Sequence, residues 1–184
     1  MPVTPTEAAS TLRDIQRTSQ ASGQALGYRN GGPYLILWGL VWMVGYAGSD
    51  LAPAHTGEIW LGAVLVGAIG STIMGRLRPS RSQAARSAGK MFALVAIIFL
   101  YIVAMNVVMW PSSPRQQAVI APLLAGAVYA AAGLFGGVRW IVAGAAIAAL
   151  TLGGYFYVHE HFGLWMALVG GGGLILAGLW MRSA

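Results

Sequence analysis

The residues best suited to chemistry gather at a few positions. His55, His159 and His161, with Asp50, Glu58 and Glu160 nearby in sequence, supply the imidazoles and carboxylates that hold Zn²⁺ or Cu²⁺. A metal site on His55, His159 and His161 is one expectation, and a histidine pair that senses pH is another. The spacing weighs against both. His159 and His161 are two residues apart, which on a helix turns them about 200° from each other, so they converge only if the chain has already left the helix. A solvated turn with helix-end carboxylates explains "YVHEHFGLW" (157–165) without any ligand.

Within the long apolar stretches there is no Asp, Glu, Lys, Arg or His near the middle. Proton pumps, many ion-coupled transporters and intramembrane hydrolases need such groups to carry protons, compensate charge or activate a nucleophile. No phosphate-binding glycine loop followed by Lys-Ser/Thr, no His-Glu-x-x-His and no nucleophile elbow is present, and cysteine is absent. The expectation is a protein that is not an enzyme, and no cofactor is implied. What remains at depth is Asn106, Ser71, Thr72, Thr151, Tyr101 and Tyr129. Asn106 is the most costly to bury, and its amide is expected to hydrogen-bond to another helix or to contact a ligand. The serine and threonine hydroxyls can bond the backbone of their own helix.

One aromatic pattern stands out. Tyr34, Trp38, Trp42 and Tyr46 recur every four residues and share a helix face. They read as a packing and interface stripe, with the two tyrosines as belt anchors, or as the wall of a binding site for a flat or amphiphilic ligand such as a quinone, a pigment or a lipid tail.

The elements that must position these residues follow from composition. Charged residues make up 9% and apolar residues 57% of the 184, whereas a soluble chain carries about 25% charged residues. The second solvent is lipid. Windows of about 20 apolar residues give six spans, at 33–49, 58–75, 90–110, 114–136, 138–158 and 162–181, in three antiparallel hairpins. The fold class is therefore an all-α polytopic membrane protein. Residues 1–32 form a polar N-terminal segment with a short amphipathic helix, and residues 33–184 the transmembrane domain. No cleavable signal is evident at the N-terminus, so the first span is expected to act as an uncleaved anchor. Thr4-Pro5-Thr6-Glu7 and Ser113-Pro114-Arg115-Gln116 read as capping boxes, and Ser80 with Gln83 as a weaker one.

Cations set the orientation. The N-terminal segment, the loop "RLRPSRSQAARSAGK", the "GGVR" turn and the C-terminus hold ten of the eleven Lys and Arg residues, and only Arg115 lies on the opposite side. The positive-inside rule puts both termini in the cytoplasm. The net charge of +6 thus belongs with lipid headgroups, not nucleic acid.

Small residues indicate how the spans pack. Ala63, Gly67, Ser71 and Gly75 stripe the second span, Ala145, Ala149 and Gly153 stripe the fifth, and "GGGG" at 170–173 offers a close-packing face on the sixth. The hairpins, each opening with a cation near an aromatic (Arg29 with Tyr34, Lys90 with Phe92, Arg139 with Trp140), suggest an internal repeat. Segments such as "PYLILWGLVWMVGYAGSDLAP" and "WIVAGAAIAALTLGGYFYVHE" in this layout resemble the six-helix bacterial inner-membrane proteins of the HdeD acid-resistance type. The resemblance implies architecture and a bacterial inner-membrane location, and carries over no catalytic residue.

The functional expectation is a non-catalytic accessory, assembly or stress-related membrane component that binds a partner complex, another copy of itself as a homo-oligomer, or an amphiphile. Alternatives are a channel or transporter component for a small neutral solute, and an extracytoplasmic metal or pH sensor.

Overall fold

The computed structural model describes residues 5–77, 97–98, 100–109 and 113–183, and every element in them is helical. Helix α1 runs from Pro5 to Leu51, and after a short 3-10 turn at Pro53–His55 helix α2 covers Thr56–Arg76. Residues 100–108 are helical, followed by α3 (Pro114–Gly136), α4 (Val138–Tyr157) and α5 (Phe162–Arg182). Among the described residues five helices are long and apolar enough to cross a membrane. The third expected span, 90–110, lies only in part within them, and the Thr4–Glu7 and Ser80–Gln83 caps, the Lys90 and Phe92 pair and all of the basic loop beyond Leu77 lie outside them.

Helix α1 runs without a break across the boundary expected at residue 33. The polar segment and the first span form one helix of 47 residues, about 70 Å long at 1.5 Å per residue. Proline usually ends a helix because its ring crowds the preceding residue. Pro33 nevertheless lies inside α1, as Pro122 lies inside α3, and both helices continue. The N-terminal turns stand clear of the bundle core, with Leu12 and Ile15 exposed.

Helix α1 packs along α2 on one side and α5 on the other. It meets α5 antiparallel through paired glycines, Gly39 with Gly171 and Gly32 with Gly178. A Cβ on Gly39 would lie 2.7 Å from the carbonyl oxygen of Gly171, and one on Gly178 would lie 2.6 Å from that of Gly32. Only glycine permits such backbone approach, and in lipid, where no hydrophobic drive joins helices, close packing carries the association. The α3–α4 hairpin repeats the device: a Cβ on Gly126 would come within 2.9 Å of the Gly144 carbonyl oxygen. A capping box starts α3, with Ser113 accepting from the Gln116 N–H and the Gln116 side chain accepting from that of Ser113.

The "GGGG" run is helical but not uniformly so. Residues Met166–Gly171 form a π-helical turn inside α5, the wider winding that inserts a residue into a helix. Gly170 and Gly171 are buried, Gly170 beside Trp42 and Gly171 against Gly39 and Met43, while nothing lies within 4 Å of where a Cβ would stand on Gly172 or Gly173. The small-residue stripes divide likewise. On α2, Ala63 and Gly67 are buried, and Gly67 faces Val41 and Trp38 of α1. On α4 the buried face carries Ala143, Gly144, Ile147, Thr151 and Gly154, so Ala145 and Ala149 are exposed and Gly153 has open space beyond it.

Gly171→Ala should therefore lower stability by about 1–3 kcal/mol, because its methyl has to displace the α1 backbone. Gly173→Ala should be neutral or raise it by up to about 1 kcal/mol through helix propensity. Thermal unfolding in detergent separates the two.

Candidate functional site

The acidic end of the bundle brings together much of what the sequence marked as reactive. Asp50 closes α1, His55 and Glu58 sit at the α1–α2 turn, and His159, Glu160 and His161 form the α4–α5 turn. His55 Nδ1 is 2.7 Å from Glu58 Oε2, within its own turn. His161 Nδ1 is 3.2 Å from Asp50 Oδ2, a contact between the two turns. His161 has φ of 55°, so the chain leaves the helix there and turns the ring toward α1. His159 and Glu160 are exposed. Among the described residues no three His, Asp or Glu side chains come together to hold a metal ion.

Arg115, the lone Lys or Arg at this end among the described residues, has a defined job. Its Nη2 donates to the carbonyls of Tyr155 and Val158, the latter at 2.7 Å, with the Gly154 carbonyl at 3.5 Å. The Tyr155 and Val158 carbonyls, at and just past the end of α4, have no further turn of helix to satisfy them, while the Gly154 carbonyl also accepts from the Val158 N–H. The guanidinium also lies 5.2 Å from the centroid of the Tyr155 ring and 5.7 Å from that of Phe162. Charge, helix-end polarity and ring faces all favour the arrangement. Arg115 thereby ties the start of α3 to the turn between α4 and α5.

The aromatic stripe of α1 packs inward. Tyr46 is 4% exposed and meets Trp42 and Trp60 edge to face, at centroid distances of 6.0 and 5.0 Å. Its hydroxyl donates to the Ala118 carbonyl at 2.7 Å. Pro122, buried in α3, explains that bond: four residues after Ala118 it has no N–H to give, so the Ala118 carbonyl is freed from its own helix. Tyr34, Trp38 and Trp42 are half-buried. Trp60 donates to the Ser49 hydroxyl at 3.0 Å. An open apolar recess of about 470 Å³, between Met43, Leu150, Leu168, Gly172, Gly173 and Leu176, is not lined by the stripe.

Two sequence expectations about polar groups at depth change. Asn106 donates to the Ile102 carbonyl of its own helix at 2.8 Å, because an amide one turn on reaches the carbonyl behind it. Thr72 bonds its own backbone as expected, to Ile69 at 2.7 Å. The Ser71 and Thr151 hydroxyls are buried with no hydrogen-bond partner among the described residues. Arg139, expected beside Trp140, instead stacks on Tyr28 and Trp180. Trp140 packs near Tyr129, with ring centroids 5.6 Å apart.

Sequence reasoning thus missed the partners of Tyr46, Arg115 and Arg139. Each had a signal: a proline inside a span, a solitary cation at an acidic surface, and a cation at a helix start facing the end of its antiparallel neighbour. No family model, curated protein or solved structure matches the chain.

Replacing Arg115 by Gln should lower the unfolding free energy by roughly 1.5–3 kcal/mol, the usual worth of hydrogen bonds to a charged group. Arg29→Gln, at an exposed position, should leave it unchanged. Melting temperatures in detergent test both.

Proposed function

We propose that the chain is a non-catalytic, six-span component of a bacterial inner membrane, with both termini cytoplasmic, that serves as an accessory, assembly or stress-related subunit. Its partner is a transmembrane helix of a larger complex. The observation that carries this reading is the outward face of α4, where Ala145, Ala149 and Gly153 offer small residues at four-residue spacing to nothing in the described chain. Faces of this kind let a second helix approach closely. The neighbouring recess at Gly172 and Gly173 widens the same surface and is apolar enough for a lipid tail or another amphiphile. The HdeD-type resemblance remains a reading of the hairpin layout.

The six spans and the orientation have their own support. Gly75, near the end of α2, is close to Tyr34, whereas α3 begins beside Tyr46 and the end of α4. The chain between them has to travel from one end of the bundle to the other, and 90–110 is the apolar stretch available. Arg29, Arg76, Arg139 and Arg182 mark one end, and Asp50, Glu58 and Glu160 the other. The positive-inside rule assigns the arginine end to the cytoplasm.

Gentle extraction from the native membrane followed by mass spectrometry should return a partner or bound amphiphile with the wild-type chain. Ala149→Leu with Gly153→Leu should lose a protein partner without lowering the melting temperature. Recovery of the wild type as a lone species contradicts the reading. Because the chain has no cysteine, single cysteines report topology cleanly. A membrane-impermeant thiol reagent should label His159→Cys in intact spheroplasts and spare Ser183→Cys, and the reverse pattern contradicts the orientation.

A further inference from the structure

Three arginines meet at the basic end of the bundle, each from a different helix. Arg139, at the start of α4, is the fixed one. Its guanidinium carbon lies 5.4 Å from the Tyr28 ring centroid of α1 and 4.9 Å from that of Trp180 in α5. Its Nη1 donates to the Trp180 carbonyl at 2.7 Å, and its backbone N–H donates to the Tyr28 hydroxyl at 3.4 Å. Tyr28 is buried, so the clamp is anchored in the core.

Arg29 and Arg182 flank this clamp. Arg29 follows Tyr28 directly. Arg182 lies two residues beyond Trp180 and runs along α1, with its Cγ 2.8 Å from the position a Cβ would take on Gly32. Both are exposed. Among the described residues the ion pairs are His55–Glu58 and His161–Asp50, both at the far end, so none of the three arginines has a carboxylate partner. Three like charges from three helices thus share the basic end of the bundle, with no counter-charge among the described residues. Beside them the Trp180 ring is 43% exposed at the end of a span, the level at which indoles sit in the membrane interface.

A membrane supplies what the cluster lacks. Phosphodiester groups lie at this depth, and guanidinium groups pair with phosphate oxygens through matched hydrogen bonds. We infer that Arg29, Arg139 and Arg182 form a binding site for the headgroup phosphate of an anionic phospholipid, with the exposed Trp180 ring against its glycerol and upper acyl region. Arg139 presents a rigid cation, and the two exposed arginines close on the headgroup from α1 and α5. The inference requires only that the bundle lies in a bilayer, and it does not depend on the partner-binding reading above.

Native mass spectrometry of the purified full chain, offered equal amounts of phosphatidylglycerol and phosphatidylcholine, tests the site. The wild type should retain phosphatidylglycerol preferentially. R29Q/R182Q should reduce that preference by roughly tenfold or more, since each interfacial cation contributes about fivefold to the attraction for anionic lipid. R29K/R182K, which keeps the charges, should retain most of it, and this separates loss of charge from loss of fold. Equal retention of the two lipids by the wild type, or an unchanged preference in R29Q/R182Q, overturns the proposal. Displacement of the lipid by millimolar inorganic phosphate also overturns it, by marking a site for free oxyanions.

Discussion

A backbone carbonyl inside a bilayer has no water to turn to, and the fold depends on how the freed ones are met. Among the described residues, Pro122 frees the carbonyl of Ala118, the end of α4 frees those of Tyr155 and Val158, and the Trp180 carbonyl lies in the last turn of α5, where Ser183 also donates to it. Each is taken by a side chain from a different helix: Tyr46 of α1, Arg115 of α3 and Arg139 of α4. A local requirement of hydrogen bonding thereby becomes a set of links between helices, two of them at opposite ends of the bundle.

Glycine supplies the complement. The Gly39–Gly171 and Gly32–Gly178 contacts bring α1 and α5 to backbone distance, while Gly126 and Gly144 do the same within the α3–α4 hairpin. The π turn at Met166–Gly171 lies directly beside the first of these contacts. With α1 between α2 and α5, the inward surfaces are consumed by packing. Among the described residues the small-residue face of α4 and the notch at Gly172 and Gly173 are left outward. At the basic end Arg139 is anchored on buried Tyr28, while Arg29 and Arg182 are exposed.

How much of this was legible varied with the kind of signal. The limits of α3, α4 and α5 fall within a residue of those read from apolar length and turn chemistry, and the Ser113–Gln116 cap is formed. Those features are local, and a few residues determine each. The continuity of α1 through Pro33 was hidden because a proline most often ends a helix, and nothing local to Pro33 marks it as an exception. Periodicity could not choose between the two small faces of α4, since Ala145–Ala149–Gly153 and Gly144–Ile147–Thr151 are both good helical stripes. The acidic-end histidines were grouped by residue type, but their nearest partners are Glu58 for His55 and Asp50 for His161. Tyr46 looked like part of an aromatic wall, and only its depth relative to Pro122 reveals what its hydroxyl does.

The claim that freed carbonyls set the links between helices is tested most directly by a double-mutant cycle on Tyr46 and Pro122, read by equilibrium unfolding in detergent. In the wild-type background Tyr46→Phe leaves the Ala118 carbonyl unpaired and should cost about 1–3 kcal/mol. In a Pro122→Ala background the new N–H at position 122 can take that carbonyl, and the same substitution should cost less than half as much. An equal cost in both backgrounds would show that the Tyr46 hydroxyl does not serve the carbonyl that Pro122 frees, and would contradict the account.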